Sequence, residues 1–237
     1  MSATNAVRTL RESDWGLRYQ PEFFASVCPE PSWLDPSRPQ LQAQPVRAGG
    51  RQAAWYIQLP SGQAAVLRQY RRGGLVARFL HDQYLWLGAE RSRSWAEFAV
   101  MVYLAECGVA VPEPVAALWQ RKGVYYRASL ITQKIEAAQP LAQELLNSQI
   151  EPVARAIKQM HDAGVDHADL NALNILLDQQ GRVWLIDFDR ARRYARLSYN
   201  QRKRNLSRLQ RSLLKLCGPS GGQWYQQLVL AYRSLLV

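Results

Sequence analysis

HADLNALNILLDQQGRVWLIDFDRARR, residues 167–193, sets four acidic side chains, Asp169, Asp178, Asp187 and Asp189, beside two short apolar runs. NILL and VWLI are separated by DQQG, a turn composition, which predicts two short strands joined as a hairpin. Asp169 stands ahead of that hairpin, Asn174 at its entrance and Asp187 at its exit, so both ends of one hairpin carry oxygen ligands on the same side. Hard oxygens without His or Cys company favour Mg²⁺, which takes one or two carboxylates and shares substrate phosphates. Asp169 is then positioned to accept a proton from a hydroxyl. Taken singly these residues have plainer explanations, Asp169 as a loop residue bonding its own backbone and Asn174 as a turn cap. Asp178 falls in the turn.

Working outward, PVARAIKQMHDAG carries Val153, Ile157 and Met160 on one helical face and stops at Gly164. LAQELLNS before it also reads as helix, so a helical portion begins after Pro140. The first half of the chain has another character. AAWYIQL and AAVLRQY flank the turn PSGQ and predict a hairpin. Ser94 to Cys107 spaces Trp95, Phe98, Val102 and Ala105 along one helical face, with Gly108 at the expected stop. VPEPVAAL and VYYRASLITQ read as two further strands, and the Pro-rich residues 28–45 as a loop leading into the first regular element. The expectation is an α+β protein: an antiparallel sheet with one helix over about residues 1–135, and a mainly helical part over about 136–237.

Near the C-terminus, YNQRKRNLSRLQRSLLKL aligns Leu206, Leu209, Leu213 and Leu216 on one helical face and Arg204, Arg208, Arg211 and Lys215 on another. Such a stripe serves either as core or as a basic helix lying on anionic lipid. The formal net charge of +11 predicts a polyanionic partner: nucleic acid, a phospholipid surface or a phosphorylated substrate. The repeated Lys/Arg and aromatic pattern of an RNA-binding sheet is missing, so nucleic acid is not expected. Cys28, Cys107 and Cys217 are odd in number and far apart, which speaks against a disulfide framework or a zinc site and suits a reducing cytoplasm. The N-terminal residues lack the apolar run of a signal peptide, and no segment reaches the length of a membrane span, so any membrane contact is expected to be peripheral.

HADLNALN followed by IDFD resembles the catalytic loop and metal-binding motif of the protein-kinase-like superfamily, HxDxxxxN ahead of a D-F-G-type triplet. The resemblance implies a two-lobe fold in one kinase-like domain, with Asp169 as catalytic base and Asn174 and Asp187 as metal ligands. His167 takes the place of the loop histidine, supporting the backbone or the chemistry. Asp189 is open between metal binding and pairing with Arg190, Arg192 or Arg193. AAVLR sets Arg68 where the kinase fold keeps a lysine for the nucleotide phosphates, and Glu97 in WAEF is its natural helix partner. Arginine is always charged and grips phosphate in a planar fork, so the role carries over with altered geometry. Lys134 or an arginine of RQYRR is the alternative contact. Gly49 and Gly50 stand where a glycine-rich phosphate loop belongs, without the GxGxxG spacing, and ITQKI, residues 131–135, falls at the adenine-facing hinge strand. The segment after Asp189 shows no APE motif, and Ala168 replaces the arginine that reads activation-loop phosphate in many protein kinases. A small molecule or glycolipid is therefore the expected acceptor.

Residues 68–98, with GVAVPEPVAA and HDAGVDHADLNALNILLD, are similar to the 3-deoxy-D-manno-octulosonic acid (Kdo) kinase family of Gram-negative bacteria, the likeness running over roughly residues 45–195. It implies transfer of the ATP γ-phosphoryl group to the 4-hydroxyl of a Kdo residue on a lipid A precursor, with ATP and Mg²⁺, in lipopolysaccharide core assembly. It further implies a peripheral location at the cytoplasmic face of the inner membrane. An anionic glycolipid suits the charge: Arg71, Arg72, Arg91 and Arg93 offer forks for carboxylate and phosphate, and Tyr84 and Trp86 offer faces for sugar rings. Alternatives are a kinase for another acceptor, such as a core heptose or an aminoglycoside-like compound, or an inactive kinase fold that binds lipid or nucleic acid.

Overall fold

The computed structural model describes residues 7–46, 54–71, 83–145 and 149–235. They form two compact units: the residues up to Ala99 with Glu113–Lys134, and Val100–Pro112 with the residues from Ile135 on.

The first unit is built on an antiparallel sheet of β1 (Arg8–Arg11), β2 (Trp15–Tyr19), β3 (Gln44–Pro45), β4 (Ala54–Gln58), β5 (Ala64–Gln69), β6 (Tyr84–Leu85), β7 (Pro114–Lys122) and β8 (Tyr125–Gln133). Their lateral order is β1-β2-β7-β8-β5-β4-β3, with β6 beside β8. The hairpin expected from AAWYIQL and AAVLRQY is β4–β5, with Ala54 opposite Arg68. α1 (Arg93–Glu106) lies between β6 and β7 in sequence.

The sheet starts earlier than the sequence suggests. β2 runs beside β7, Leu17 opposite Leu118, and β1 closes the edge with an almost wholly exposed face. RTLR has no strand signature alone; it pairs because β2 supplies a partner, a context effect that overrides propensity. The Pro-rich stretch is not an open loop either. Three 3₁₀ turns, each begun by a proline (Pro21, Pro31, Pro39), fold Phe23, Phe24, Trp33, Leu34 and Leu41 into one core with Leu17, Leu67, Leu118 and Ile131. Proline presets φ at the first position of such a turn and has no N–H to leave unpaired.

On α1 the fully buried stripe is Trp95, Phe98, Met101 and Leu104, while Val102 and Ala105 are only half-buried. Steps of three residues drift around an α-helix. The drift matches a helix whose first half belongs to one unit and whose second half to the other.

The second unit contains β9 (Gln139–Pro140), α2 (Leu141–Glu144), α3 (Ile150–Asp162), β10 (Val165–Asp166), β11 (Ile175–Leu177), β12 (Val183–Leu185), β13 (Arg192–Arg193) and α4 (Tyr199–Ser234). α3 buries Val153, Ile157 and Met160 completely. LAQELLNS yields only the short α2, and residues 146–148 lie outside the described residues. Gly164 has φ +77, and a Cβ there would lie 2.1 Å from the Tyr194 carbonyl oxygen. Only glycine lets the chain leave α3 so close to that strand. α4 opens with a capping box between Ser198 and Gln201 and kinks at Gly218, just before Pro219. Leu206, Leu209 and Leu213 are core, whereas Leu216, next to the kink, is exposed. Among the described residues no helix is long and apolar enough to cross a membrane.

Candidate active site

NILL and VWLI form β11 and β12, paired antiparallel with Ile175 opposite Leu185. Their register brings Asn174 and Asp187 to the same end of the hairpin, and the Ile186 N–H donates to the Asn174 carbonyl at 3.0 Å. Asp178 builds the far turn: its carboxylate accepts from the Gln180 and Arg182 amides and from Trp184 Nε1. Asp187 has φ +64, the left-handed region that non-glycine residues rarely occupy. Such conformations persist where surrounding structure over-determines them, and they gather at functional sites.

His167 supplies that surrounding structure. It is fully buried, its Nε2–H donates to the Ile186 carbonyl at 3.0 Å, and its Nδ1 accepts the Asp169 amide at 3.1 Å. One ring thereby ties the residue before Asp187 to Asp169. These bonds require the neutral Nε2–H tautomer, and burial pushes the ring's pKa below the usual histidine value. The Phe188 ring packs beside it at 4.8 Å.

Asp169 itself is exposed, open to an acceptor as the base expected there would need to be. Its carbonyl accepts from both Asn171 Nδ2 (3.1 Å) and Asn174 Nδ2 (2.9 Å). With its NH₂ on a carbonyl, the Asn174 amide has its oriented Oδ1 left to act as a metal ligand. Among the described residues no three His, Cys, Asp or Glu side chains are arranged to hold a metal by themselves. Asn174 and Asp187 would offer a two-ligand donor set, a chemistry that fits Mg²⁺ shared with phosphates.

Beneath the loop lies a buried polar network that the sequence reading missed. Asn205, fully buried on α4, accepts the His167 amide at 3.1 Å and donates to Asp166 Oδ1 at 2.6 Å. Asp166 also pairs with Arg204. The Asn205 Oδ1 further meets His161 Nε2 at 3.3 Å, and His161 Nδ1 meets the Tyr232 hydroxyl at 2.8 Å. Burial, above all, takes the His161 pKa down to about 4. The one sequence signal was Asn205 itself, a polar residue one turn before Leu209 on an otherwise buried row. The arginines behind Asp189 take structural places: Arg192 and Arg193 pair with β10, and the Arg193 guanidinium lies 3.5 Å from the centre of the Tyr103 ring.

In the first unit, Arg68 on β5 and Glu97 on α1 form an ion pair, and the Tyr70 hydroxyl donates to the other carboxylate oxygen of Glu97. Glu97 is 2% exposed, so it is not a solvated helix residue. A carboxylate so deeply buried needs such partners to stay charged. Arg68 retains 27% side-chain exposure. Lys134 lies over the Tyr56 ring at 5.1 Å.

The residues expected to bind the acceptor differ in their surroundings. Arg71 and Arg91 are exposed. The Arg93 guanidinium sits over the Tyr70 and Tyr84 rings. Tyr84 is buried against Tyr126, and Trp86 packs 4.4 Å from Trp119. The sugar-stacking expected of Tyr84 is therefore corrected, because the pairing of β6 with β8 buries its ring; Trp86, just beyond β6, is half-buried. Gly49, Gly50 and Arg72 lie outside the described residues.

A loop histidine and aspartate leading into a hairpin with Asn and Asp at its open end, in a chain whose antiparallel sheet carries an Arg–Glu pair to a helix, define a phosphotransferase of the protein-kinase-like fold. A solved structure described as WaaP in complex with acyl carrier protein shares that fold, with a TM-score of 0.53, 19% identity and 88% of each chain covered. The model of the lipopolysaccharide kinase (Kdo/WaaP) family matches residues 37–232, and the chain belongs to this family. A 3-deoxy-D-manno-octulosonic acid kinase of Stenotrophomonas maltophilia (strain R551-3) is 50% identical over 182 residues, 75% of this chain and 72% of its own. A protein of the same description from Xanthomonas campestris pv. campestris (strain B100) is 48% identical over 190 residues, 78% of this chain and 75% of its own.

Proposed function

We propose that this enzyme transfers the γ-phosphoryl group of ATP to the 4-hydroxyl of a Kdo residue on a lipid A precursor, in lipopolysaccharide core biosynthesis. The observation that carries the reading is the His167 bridge, which holds Asp169 and the backbone before Asp187 in one rigid loop. Asp169 orients the acceptor hydroxyl and takes its proton as the new oxygen–phosphorus bond forms and the bond to the ADP oxygen breaks. Asn174 and Asp187 would hold Mg²⁺, which when bound neutralises phosphate charge. Arg68, kept in place by Glu97, serves the nucleotide phosphates as a planar fork. Most of the catalysis is positioning and charge neutralisation.

The acceptor is an anionic glycolipid. Arg71, Arg72 and Arg91 are proposed to meet its carboxylate and phosphates, and the enzyme works in peripheral contact with the cytoplasmic face of the inner membrane. The strong identity to proteins named as Kdo kinases supports this acceptor, as does the excess positive charge. The test is mass spectrometry of the product from ATP, Mg²⁺ and the Kdo-bearing lipid A precursor. One added phosphate on the Kdo 4-hydroxyl is the expected result. A phosphate found only on heptose, when heptose-containing cores are supplied in parallel, would assign a different acceptor.

A further inference from the structure

In the first unit, β6 and the residues after it run beside the tip of the β7–β8 hairpin, a corner that none of the phosphotransfer chemistry uses. From its geometry we infer that this corner is the docking surface for an anionic phospholipid bilayer. The inference rests on the peripheral membrane contact proposed above and names the surface that makes it.

Alternation along the segment drives the argument. Tyr84 lies opposite Tyr126 and Leu85 opposite Tyr125, and the Trp86 N–H donates to the Val124 carbonyl at 2.9 Å. Tyr84 and Trp86 point inward to Tyr126 and Trp119, so Leu85 and Leu87 point outward. Leu85 is 55% exposed, Leu87 61% and Val124, at the hairpin tip, 61%. Single exposed leucines are ordinary, but three large aliphatic side chains on one corner form a patch.

The charge around the patch selects its partner. A hollow of about 250 Å³ beside it is lined by Arg121, Lys122 and Arg127, with no carboxylate in its lining among the described residues. The tip is braced: Arg121 Nε donates to the Gly123 carbonyl, and the Arg121 guanidinium sits over the Trp86 ring. Asp14, on the adjoining turn, meets Arg121 through its backbone carbonyl. Aliphatic side chains flanked by three cations suit an interface where the first enter the acyl boundary and the second meet phosphate headgroups. A second copy of this chain, at +11, would bring like charge to the same corner. α4 is less suited, because Leu206, Leu209 and Leu213 of its apolar row are buried.

The test sediments the full chain with vesicles of phosphatidylcholine alone and of phosphatidylcholine with phosphatidylglycerol. Three variants are compared, each checked by its melting temperature: Leu85→Ser/Leu87→Ser/Val124→Ser, Arg121→Gln/Lys122→Gln, and Lys203→Gln/Arg211→Gln/Lys215→Gln on α4. The expected result is binding to the anionic vesicles that falls roughly tenfold or more in the first two variants and much less in the third. Undiminished binding in the first two overturns the docking surface while leaving peripheral contact standing. Failure of the unaltered chain to bind either vesicle overturns both. Conversion of a dimer to a monomer by the first variant, without lipid, would assign the corner to a second copy and overturn the inference.

Discussion

The two units each bury a polar cluster, and the clusters are built for opposite purposes. In the first unit Arg68, Tyr70 and Glu97 preserve charge: a carboxylate with 2% exposure is stabilised so that a partly exposed guanidinium keeps one orientation. In the second unit the working groups of His161, His167 and Asn205 are neutral, and much of their bonding goes to backbone. One cluster holds a partly exposed cation, proposed to meet nucleotide phosphates; the other braces a loop with Asp187 at positive φ. Disturbing the first should therefore change what the enzyme binds, and disturbing the second should change whether the loop exists.

The largest expected effect comes from the residue the second cluster displays. Asp169→Asn should lower turnover by roughly 10³-fold with an unchanged melting temperature, measured as ADP release with saturating acceptor. Near-normal turnover would sink the assignment of the base. Asn205→Leu strikes the support instead, stranding the His167 amide and removing one partner of buried Asp166. It should cost about 3 kcal/mol in urea unfolding, a loss that no ligand contact explains; a change below the error of the measurement would show that the loop holds itself.

The neutral histidines give the second cluster a pH signature. The His161 pKa is about 4 in the folded chain and about 6.5 when unfolded, so between those values the unfolded chain binds more protons. The stability from the neutral ring is complete above the unfolded pKa and is lost as pH falls towards the folded one. By pH 5 the loss should reach about 2 kcal/mol, with buried His167 adding in the same direction. His161→Gln should flatten that slope in urea midpoints recorded from pH 7 to pH 5, and an unaltered slope would remove His161 as its source. The smallest effect is expected in the first cluster: Arg68→Lys should raise KM for ATP by roughly tenfold with little change in turnover, because lysine keeps the charge and loses the fork. A fall in kcat alone would mean that Arg68 acts in the transition state rather than in binding.

The same contrast explains what could be read in advance. Arg68 and Glu97 could be named only through the resemblance to the kinase fold, which keeps a basic residue on that strand and an acid on the helix. The β4–β5 and β11–β12 hairpins were legible, as were β7 and β8 as separate strands, since turn residues and apolar runs act over a few positions. β1 was not, because RTLR carries a single apolar residue; β2, WGLRY, does alternate Trp15, Leu17 and Tyr19, a short signal that only its pairing with β7 makes decisive. Tyr84 shows the limit at single-residue level: its type suits sugar binding, and only the pairing of β6 with β8 turns it into core.

By itself the sequence determined the chemistry-bearing order His167, Asp169, Asn174, Asp187, the α+β division and the surplus of positive charge, because each depends on residue type and near-neighbour spacing. Tertiary structure alone decided that His167 serves as a buried bridge, that Asn205 on a distant helix holds its amide, and that the leucine row of α4 is mainly core. Those outcomes depend on which groups lose water together, and burial is a property of the folded chain that joins residues far apart in the sequence.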